Sequence, residues 1–375
     1  MRTIARAPVR SDVWGDGRLT DLESANPEKP FPECREGLST FLGVGRHIVH
    51  QGLIMGERTI GLPAGFRDLI FDAAERRRHI ENQFSAVLGA ASYREVIPSA
   101  VEYLDLYARG NQGVRDRAIR FLDRDDALLA LRADFTPAVA RIVAGRLPDL
   151  HPPVRLWYSG PVFRKTGRHS AQYRELAQIG AELIGGEPPA ADAEILDVAL
   201  ECLVRAGFAD ASVHVNHAGI FRGLVNSLGL EPARLAEIRS AIDRKDMRAL
   251  DGRLEELGVH GSVRAQVGAL SRCVGDERAL EDAAGSLVNG ESRTAIAALE
   301  GLAAALPRWK GRIVYDLTEI DEMEYYTGVM FTFLSTKHSA ELGRGGRYDS
   351  LMHEFGADLP AVGFSFSMDT LGECE

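Results

Sequence analysis

The sequence predicts an α+β fold in which helices flank a mainly antiparallel β-sheet. Two segments that alternate polar and apolar residues, 155–164 and 173–184, predict paired antiparallel strands around a polar loop. Strand-like segments resume at Arg312 and continue to the closing GFSFSM stretch, 363–368. Between the two groups, residues 208–306 are rich in Ala, Leu, Arg and Glu, which predicts a mostly helical insertion.

Taken in chain order, residues 1–55 mix Pro, Gly, Asp and Arg with little periodicity. They predict either a flexible extension or a start site placed too early, since Met55 lies just before the ordered pattern. A turn at Leu62 then leads into a long amphipathic helix. Its apolar positions near helical spacing are Ile70, Ala73, Ala74, Ile80, Phe84 and Val87.

The next segment, 92–107, predicts a strand that Pro98 interrupts. Proline cannot donate a hydrogen bond to a neighbouring strand, so this strand belongs at a sheet edge or an interface. Further on, a helix begins after Pro188 and Pro189 and ends near Gly207. A short strand at 213–215 precedes the helical insertion.

Composition limits the classes of function. The chain has 375 residues, 45% of them hydrophobic, which suffices for one large core and an appendage. Its 44 basic and 54 acidic residues give a formal charge of -10. Proteins that grip a polyanion usually carry a basic footprint, so tRNA and other nucleic acids are not expected partners.

Cysteine and histidine spacing predicts neither a disulfide framework nor a metal site. The cysteines lie far apart, at Cys34, Cys202, Cys273 and Cys374. His47 and His50 form a pair without a third ligand in view. No apolar run approaches the roughly 20 residues that span a bilayer, and no signal peptide opens the chain. We therefore expect a cytoplasmic protein without membrane contact or cofactor.

Four sequence blocks carry the strongest signal. They are LRADFTPAVAR (131–141), GPVFRKTGRHSAQYRELAQIGAELIG (160–185), EYYTGVMF (324–331) and GRGGRYDSLMHEFGADLPAVGFSFSMDTL (343–371). YYTG alone is weak evidence, whereas GGRYD followed by PAVGF is a specific pairing. In order and spacing the blocks resemble the catalytic domain of class II histidyl-tRNA synthetase, from roughly Gly56 to the end of the chain.

The resemblance implies a class II aminoacyl-tRNA synthetase-like antiparallel sheet and a division of the chain. An extension (1–55) precedes the first part of the core (56–207), the helical insertion (208–306) and the completed core (307–375). The chain stops directly after the fourth block, so no anticodon-binding domain is expected. In this family the segment around Pro98 builds a homodimer contact, which implies self-association through the core.

Three positions depart from the synthetase pattern. Asp321 and Thr370 stand where the resemblance places arginines, and Thr166 replaces a glutamate of the second block. Amino-acid activation joins a carboxylate to the α-phosphate of ATP, so fixed cations must stabilise the developing charge. We therefore expect no adenylation and assign no catalytic residue.

The resemblance implies that the residues recognising histidine are better kept. Asp134 and Thr136 match the loop that receives the α-ammonium group, and Arg164 matches a conserved arginine of the second block. Gln178 and Glu182 lie four apart on one strand and so share a face. The candidate histidine-binding set is Asp134, Thr136, Arg164, Gln178, Glu182, Tyr325, Tyr326 and Tyr348.

Structural explanations compete with these roles. At Glu182 the alternative is a structural ion pair with an arginine, and at Tyr326 it is core packing. At Arg164 it is a bond to a sheet-edge carbonyl or carboxylate. GRGGRYD resembles a phosphate-binding loop, yet its glycines more often allow close backbone approach. Arg347 and Asp349 are expected to be structural.

A synthetase-like chain with these losses resembles the regulatory subunit family of ATP phosphoribosyltransferase. That resemblance implies a non-catalytic subunit, assembled with a short-form catalytic subunit as a hetero-oligomer. The complex would perform the first step of L-histidine biosynthesis, with L-histidine as effector. Two alternatives stay open: an active synthetase-like enzyme that activates histidine or a related amine, and a free-standing histidine sensor.

Overall fold

The computed structural model describes residues 61–374, apart from residues 111, 147–148, 167–172, 229–237, 239–240, 243–245, 271 and 320–325. The described residues belong to one compact unit, Gly61–Glu375. The predictions made for residues 1–55, for Asp321 and for Tyr325 lie outside the described residues.

Nine strands of the described chain form one sheet, which confirms the α+β class. In spatial order they are β1 (Arg94–Glu95), β5 (Val154–Phe163), β6 (Glu175–Ile184), β12 (Ala361–Ser367), β11 (Ala340–Arg347), β10 (Val329–Ser335), β7 (Ala211–His217), β9 (Ile313–Asp316) and β8 (Val274–Gly275). Neighbours are antiparallel except for the parallel pairs β1–β5 and β7–β9. Strands β5 and β6 pair along their whole length, as their alternation predicts.

Helices cover the sheet and fill the insertion. They are α1 (Asp72–Ala90), α2 (Asp105–Gly110), α3 (Gln112–Arg117), α4 (Thr136–Arg146), α5 (Ala190–Arg205), α6 (Ala218–Leu228), α7 (Met247–Glu256), α8 (Gly261–Leu270), α9 (Arg278–Ser286), α10 (Gly290–Ala305), α11 (Asp349–Glu354) and α12 (Met368–Cys374). Among the described residues, no helix combines the length and the apolar character that crossing a bilayer requires.

The first helix begins later than its apolar pattern suggests. Helix α1 starts at Asp72, so Ile70 lies before it and is exposed, contrary to the prediction. The buried face is Ile80, Phe84 and Leu88, spaced four apart. These side chains join a hydrophobic cluster that also takes in α5, the central strands and much of 208–306. The insertion therefore shares its core with the sheet, while its exact bounds stay a prediction.

Pro98 separates two strands that belong to different sheets. Strand β1 is the edge of the large sheet, and β2 (Val101–Tyr103) is the edge of a small one with β4 (Leu128–Leu131) and β3 (Arg120–Leu122). Both lie at edges, so the prediction is confirmed. Buried Arg132 donates to the carbonyls of Pro98 (2.8 Å) and Pro161 (2.9 Å) and thereby ties the interruption to β5.

The glycine-rich block is a central strand rather than a phosphate-binding loop. Strand β11 lies between β10 and β12, and a Cβ atom at Gly343 would come within 2.6 Å of the Phe366 ring. At Gly346 it would come within 2.6 Å of the Val329 carbonyl oxygen. Close backbone approach explains the glycines here, as the sequence analysis favoured.

Candidate ligand-binding site

A cavity of about 420 Å³ opens on the face of the sheet formed by β6, β12 and β11, beside the start of α4. Seven of the eight residues predicted to bind histidine line it. They are Asp134, Thr136, Arg164, Gln178, Glu182, Tyr326 and Tyr348. The volume falls within the range of about 300 to 1,000 Å³ that is usual for small-molecule sites.

Glu182 lines the cavity at the centre of a cluster of hydroxyl groups. Its side chain is buried and accepts three hydrogen bonds, all from hydroxyl groups. Thr136 Oγ1 and Tyr158 OH donate to Oε1 at 2.8 and 3.2 Å, and Tyr348 OH donates to Oε2 at 2.5 Å. Among the described residues no arginine pairs with Glu182, so the structural ion pair considered above is not its role.

Burial raises the pKa of the Glu182 carboxyl to about 7, because a low-dielectric surrounding disfavours the charged form. The hydroxyl groups of Tyr348, Thr136 and Tyr158 oppose this rise, and the nearby charge of Asp134 adds to it. The carboxyl is therefore ready to change protonation state near neutral pH.

Two glycines give Glu182 its space. Register pairs Gly363 of β12 with Glu182, and a Cβ atom at Gly363 would collide with the carboxylate. At Gly180 a Cβ atom would come within 2.6 Å of the Tyr158 hydroxyl oxygen. Tyr158 itself is fully buried and stacks on Phe135, with ring centroids 4.3 Å apart. The sequence analysis missed Tyr158, because only the pairing of β5 with β6 brings it to Gly180.

Asp134 and Arg164 lie close together in the lining of the cavity. The Arg164 guanidinium donates to the Ala133 carbonyl at 2.9 Å and reaches Asp134 Oδ1 at 3.9 Å. The carbonyl contact considered for Arg164 is therefore present. Burial raises the pKa of Asp134, and the positive charge of Arg164 opposes that rise.

Among the described residues that line the cavity, Gln178 has a buried polar atom without a hydrogen-bond partner. Its amide oxygen is buried and accepts no hydrogen bond within the described part of the chain. Buried polar atoms nearly always have a partner in a native protein or its complex. Gln178 therefore lines the cavity beside Glu182, with its amide oxygen enclosed by the protein.

The cavity also contains two arginines that the sequence analysis did not assign to it, Arg117 and Arg344. Arg344 is held by Glu341 through two contacts, at 2.6 and 2.7 Å. Arg117 donates to the Gly113 carbonyl at 3.1 Å. A prediction of β11 as a strand would have identified Arg344, because strand register determines which residues lie beside Arg344 in the sheet.

One departure from the synthetase pattern, Thr370, contacts a residue that lines this site. Thr370, on α12, donates to Ser367 Oγ at 2.9 Å, and Ser367 lines the cavity. Thr166 is half-buried and follows the last residues of β5. No group of three or more His, Cys, Asp or Glu side chains in the described ranges is arranged to hold a metal ion.

The structure gives different roles to Tyr326, Arg347 and Asp349. Tyr326 lines the cavity and also packs on the core near Gly346, so it serves in both places. Arg347 is buried against Asp192 of α5 at 2.6 Å. Asp349 accepts from the Ala361 backbone N–H at 2.8 Å. The structural roles expected for Arg347 and Asp349 are confirmed.

Comparison with known proteins supplies the family. The family model for histidyl-tRNA synthetase matches residues 65–371. A protein of Syntrophotalea carbinolica named ATP phosphoribosyltransferase regulatory subunit is 36% identical over 311 residues, covering 82% of this chain and 73% of the relative.

Solved structures agree. One from Bacillus halodurans, described as an ATP phosphoribosyltransferase regulatory subunit/histidyl-tRNA synthetase, is 26% identical with a TM-score of 0.79, covering 86% of this chain and 84% of that one. Histidyl-tRNA synthetase from Nostoc sp. PCC 7120 is 20% identical with a TM-score of 0.72, covering 84% and 75%, and shows the shared fold alone. The chain belongs to the ATP phosphoribosyltransferase regulatory subunit family, whose members have the histidyl-tRNA synthetase fold.

Proposed function

We propose that this chain is a non-catalytic regulatory subunit that assembles in the cytoplasm with a short-form ATP phosphoribosyltransferase catalytic subunit. The pair performs the first step of L-histidine biosynthesis, and L-histidine binds the cavity of this subunit as a feedback effector. The observation that carries the proposal is the convergence of seven candidate histidine-binding residues on one cavity, in a chain of this family.

The chemistry of the lining supports an amino acid with an imidazole ring. Glu182 offers a carboxyl group to a ring N–H, and Gln178 lines the cavity on the same face of the strand. Asp134 suits the α-ammonium group, and the Arg164 guanidinium suits the α-carboxylate. A ligand with one charge of each sign near its α-carbon complements this pair.

Loss of the synthetase arginines supports a binding role without chemistry. Thr370 offers only a hydroxyl, already bonded to Ser367, where an arginine would stabilise charge in adenylation. Removing one preorganised donor typically costs about 2.7 to 4 kcal/mol of barrier. Arg117 and Arg344 are the observation that favours the alternative enzyme, because they leave cations in the cavity. Histidine-dependent pyrophosphate exchange separates the two, and we expect no exchange above background.

Self-association has support from an exposed apolar surface. The small sheet leaves five large apolar side chains at least 38% exposed. They are Val101, Tyr103, Phe121, Leu122 and Leu128. Contiguous exposed apolar surface commonly marks a protein contact. Tyr103 and Phe121 both pair with Leu129, so they share one face of the small sheet with Val101. We propose that this face joins two copies of the chain, and replacing Tyr103 and Phe121 by serine should shift the sedimenting species to half its mass.

The decisive test combines binding and turnover. Purified chain and short-form catalytic subunit should co-elute as a complex, and the complex should turn over faster than the catalytic subunit alone. Calorimetry should detect histidine binding that Glu182→Ala abolishes and that Glu187→Ala, at an exposed position beyond β6, leaves unchanged. A pair that neither associates nor changes in rate would refute the assignment.

A further inference from the structure

Glu182 is a buried carboxyl group without a cation. Its exposed fraction is 1%, and its three recorded partners are the neutral hydroxyls of Thr136, Tyr158 and Tyr348. Within the described residues no lysine, arginine or histidine forms an ion pair with it, and Glu182 lines the cavity. Since the described residues give this carboxylate no countercharge, a cationic ligand in the cavity would supply one.

The surrounding charges do not supply that countercharge. Titratable and charged groups around Glu182 and the cavity are Tyr93, Arg117, Asp134, Tyr158, Arg164, Tyr326, Glu341, Arg344 and Tyr348. Arg164 is engaged by Asp134 and the Ala133 carbonyl, and Arg344 by Glu341. The charge of the Asp134 carboxylate favours the protonated form of Glu182.

We propose that histidine binding is coupled to proton transfer at Glu182: the complex holds one proton shared between this carboxyl and the imidazole, so affinity peaks near neutral pH. This inference rests on the proposed function, in which histidine occupies the cavity. In the complex the ring is an imidazolium whose N–H donates to the carboxylate. No bond other than that to the proton is made or broken.

Proton accounting gives a signed prediction. With the carboxyl pKa at about 7 and free imidazole at about 6.5, the separated partners together hold about 1.7 protons at pH 6 and about 0.1 at pH 8. A complex that holds one proton therefore releases about 0.7 proton at pH 6 and takes up about 0.9 at pH 8. Affinity should be highest near pH 6.75 and about fivefold weaker at pH 5.5 and pH 8.

Isothermal titration of the full chain with L-histidine, in two buffers of different ionisation enthalpy at each pH, measures this proton exchange. We expect the sign to reverse between pH 6 and pH 8. A carboxyl that titrates near 4.5 would give uptake at both pH values, and a complex with a neutral ring and a carboxylate would give release at both. Either result overturns the inference while leaving histidine binding, and so the proposed function, intact. An absence of binding at every pH refutes the proposed function instead.

Two variants assign the proton to this carboxyl. Glu182→Gln cannot balance an imidazolium, so the uptake at pH 8 should vanish. Tyr158→Phe removes a hydroxyl that stabilises the carboxylate from behind and does not line the cavity. It should raise the pH at which no net proton is exchanged. Unchanged proton exchange in Glu182→Gln that still binds would overturn the inference, as would a downward shift in Tyr158→Phe.

Discussion

Two buried carboxyl groups on opposite faces of the sheet have different partners. Asp192, on α5, accepts from the Arg347 guanidinium at 3.0 and 2.6 Å, with both side chains less than a tenth exposed. Glu182, on β6, accepts only from hydroxyls. Strand register places Glu182 beside Gly363 on one face and Arg347 beside Val362 on the other.

The carboxyl group paired with an arginine stabilises the fold, whereas the one without a cation is suited to binding a ligand. Asp192 and Arg347 neutralise each other inside the fold and have nothing left to offer a ligand. Glu182 is hydrogen-bonded yet lacks an opposite charge, and it faces a cavity. Burial raises the pKa of both carboxyls, but an arginine opposes the rise at Asp192 while only hydroxyls oppose it at Glu182.

The largest effect is expected when the buried ion pair between Asp192 and Arg347 is broken. Asp192→Ala removes the nearer carboxylate of buried Arg347 and leaves it only the partly exposed Asp349, at 3.2 Å. We expect a loss of about 3 kcal/mol in the free energy of unfolding by urea, the lower end for a broken buried pair. The double variant Asp192→Leu with Arg347→Met should recover most of this loss, since removing both charges removes the uncompensated one. Equal losses in the single and double variants would show that packing, not charge, dominates there.

The unpaired side should respond to pH instead. The folded-state pKa of Glu182, about 7, lies above its ordinary 4.5. Its contribution to stability is therefore complete below about pH 4.5 and is lost as the pH rises through 7. Between pH 5 and pH 8 the wild type should lose about 2 to 3 kcal/mol relative to Glu182→Gln. A difference that does not change with pH would contradict the assignment.

A third substitution tests the hydroxyl shell. Tyr348→Phe removes the 2.5 Å hydrogen bond to Glu182 Oε2. At pH 8, where the carboxyl is mostly ionised, we expect a loss of about 1.5 to 3 kcal/mol in unfolding free energy, with a smaller loss at pH 5. Chemical denaturation at both pH values measures it. A larger loss at pH 5 than at pH 8 would argue that the hydroxyl does not stabilise the charge.

The smallest effect is expected at an exposed ion pair. Arg344 and Glu341 form a two-point contact, but their side chains are 47% and 42% exposed. Solvent screening limits such pairs to about 0 to 1 kcal/mol. Arg344→Gln should therefore change the unfolding free energy by less than about 1 kcal/mol, against several for Asp192→Ala. A loss as large as that of Asp192→Ala would show that the exposed ion pair stabilises the fold as much as the buried one does.

Local patterns predicted much of the fold, whereas the candidate site residues came from the family resemblance. Alternation defined the hairpin β5–β6, and the spacing of Gln178 and Glu182 placed both on one face. Prolines before α5 and glycine after it bounded that helix. The glycine-rich β11 was not predicted as a strand, because glycines carry no side-chain alternation to read.

The sequence by itself determined which side chains share a face and which segments are helical or extended, because these depend on backbone periods of a few residues. Only the tertiary structure decided that Tyr158 reaches Glu182, that Arg117 and Arg344 enter the cavity, and that Asp192 rather than Glu182 meets an arginine. Those contacts join residues distant in the chain, so they depend on strand register and on how helices pack across the sheet.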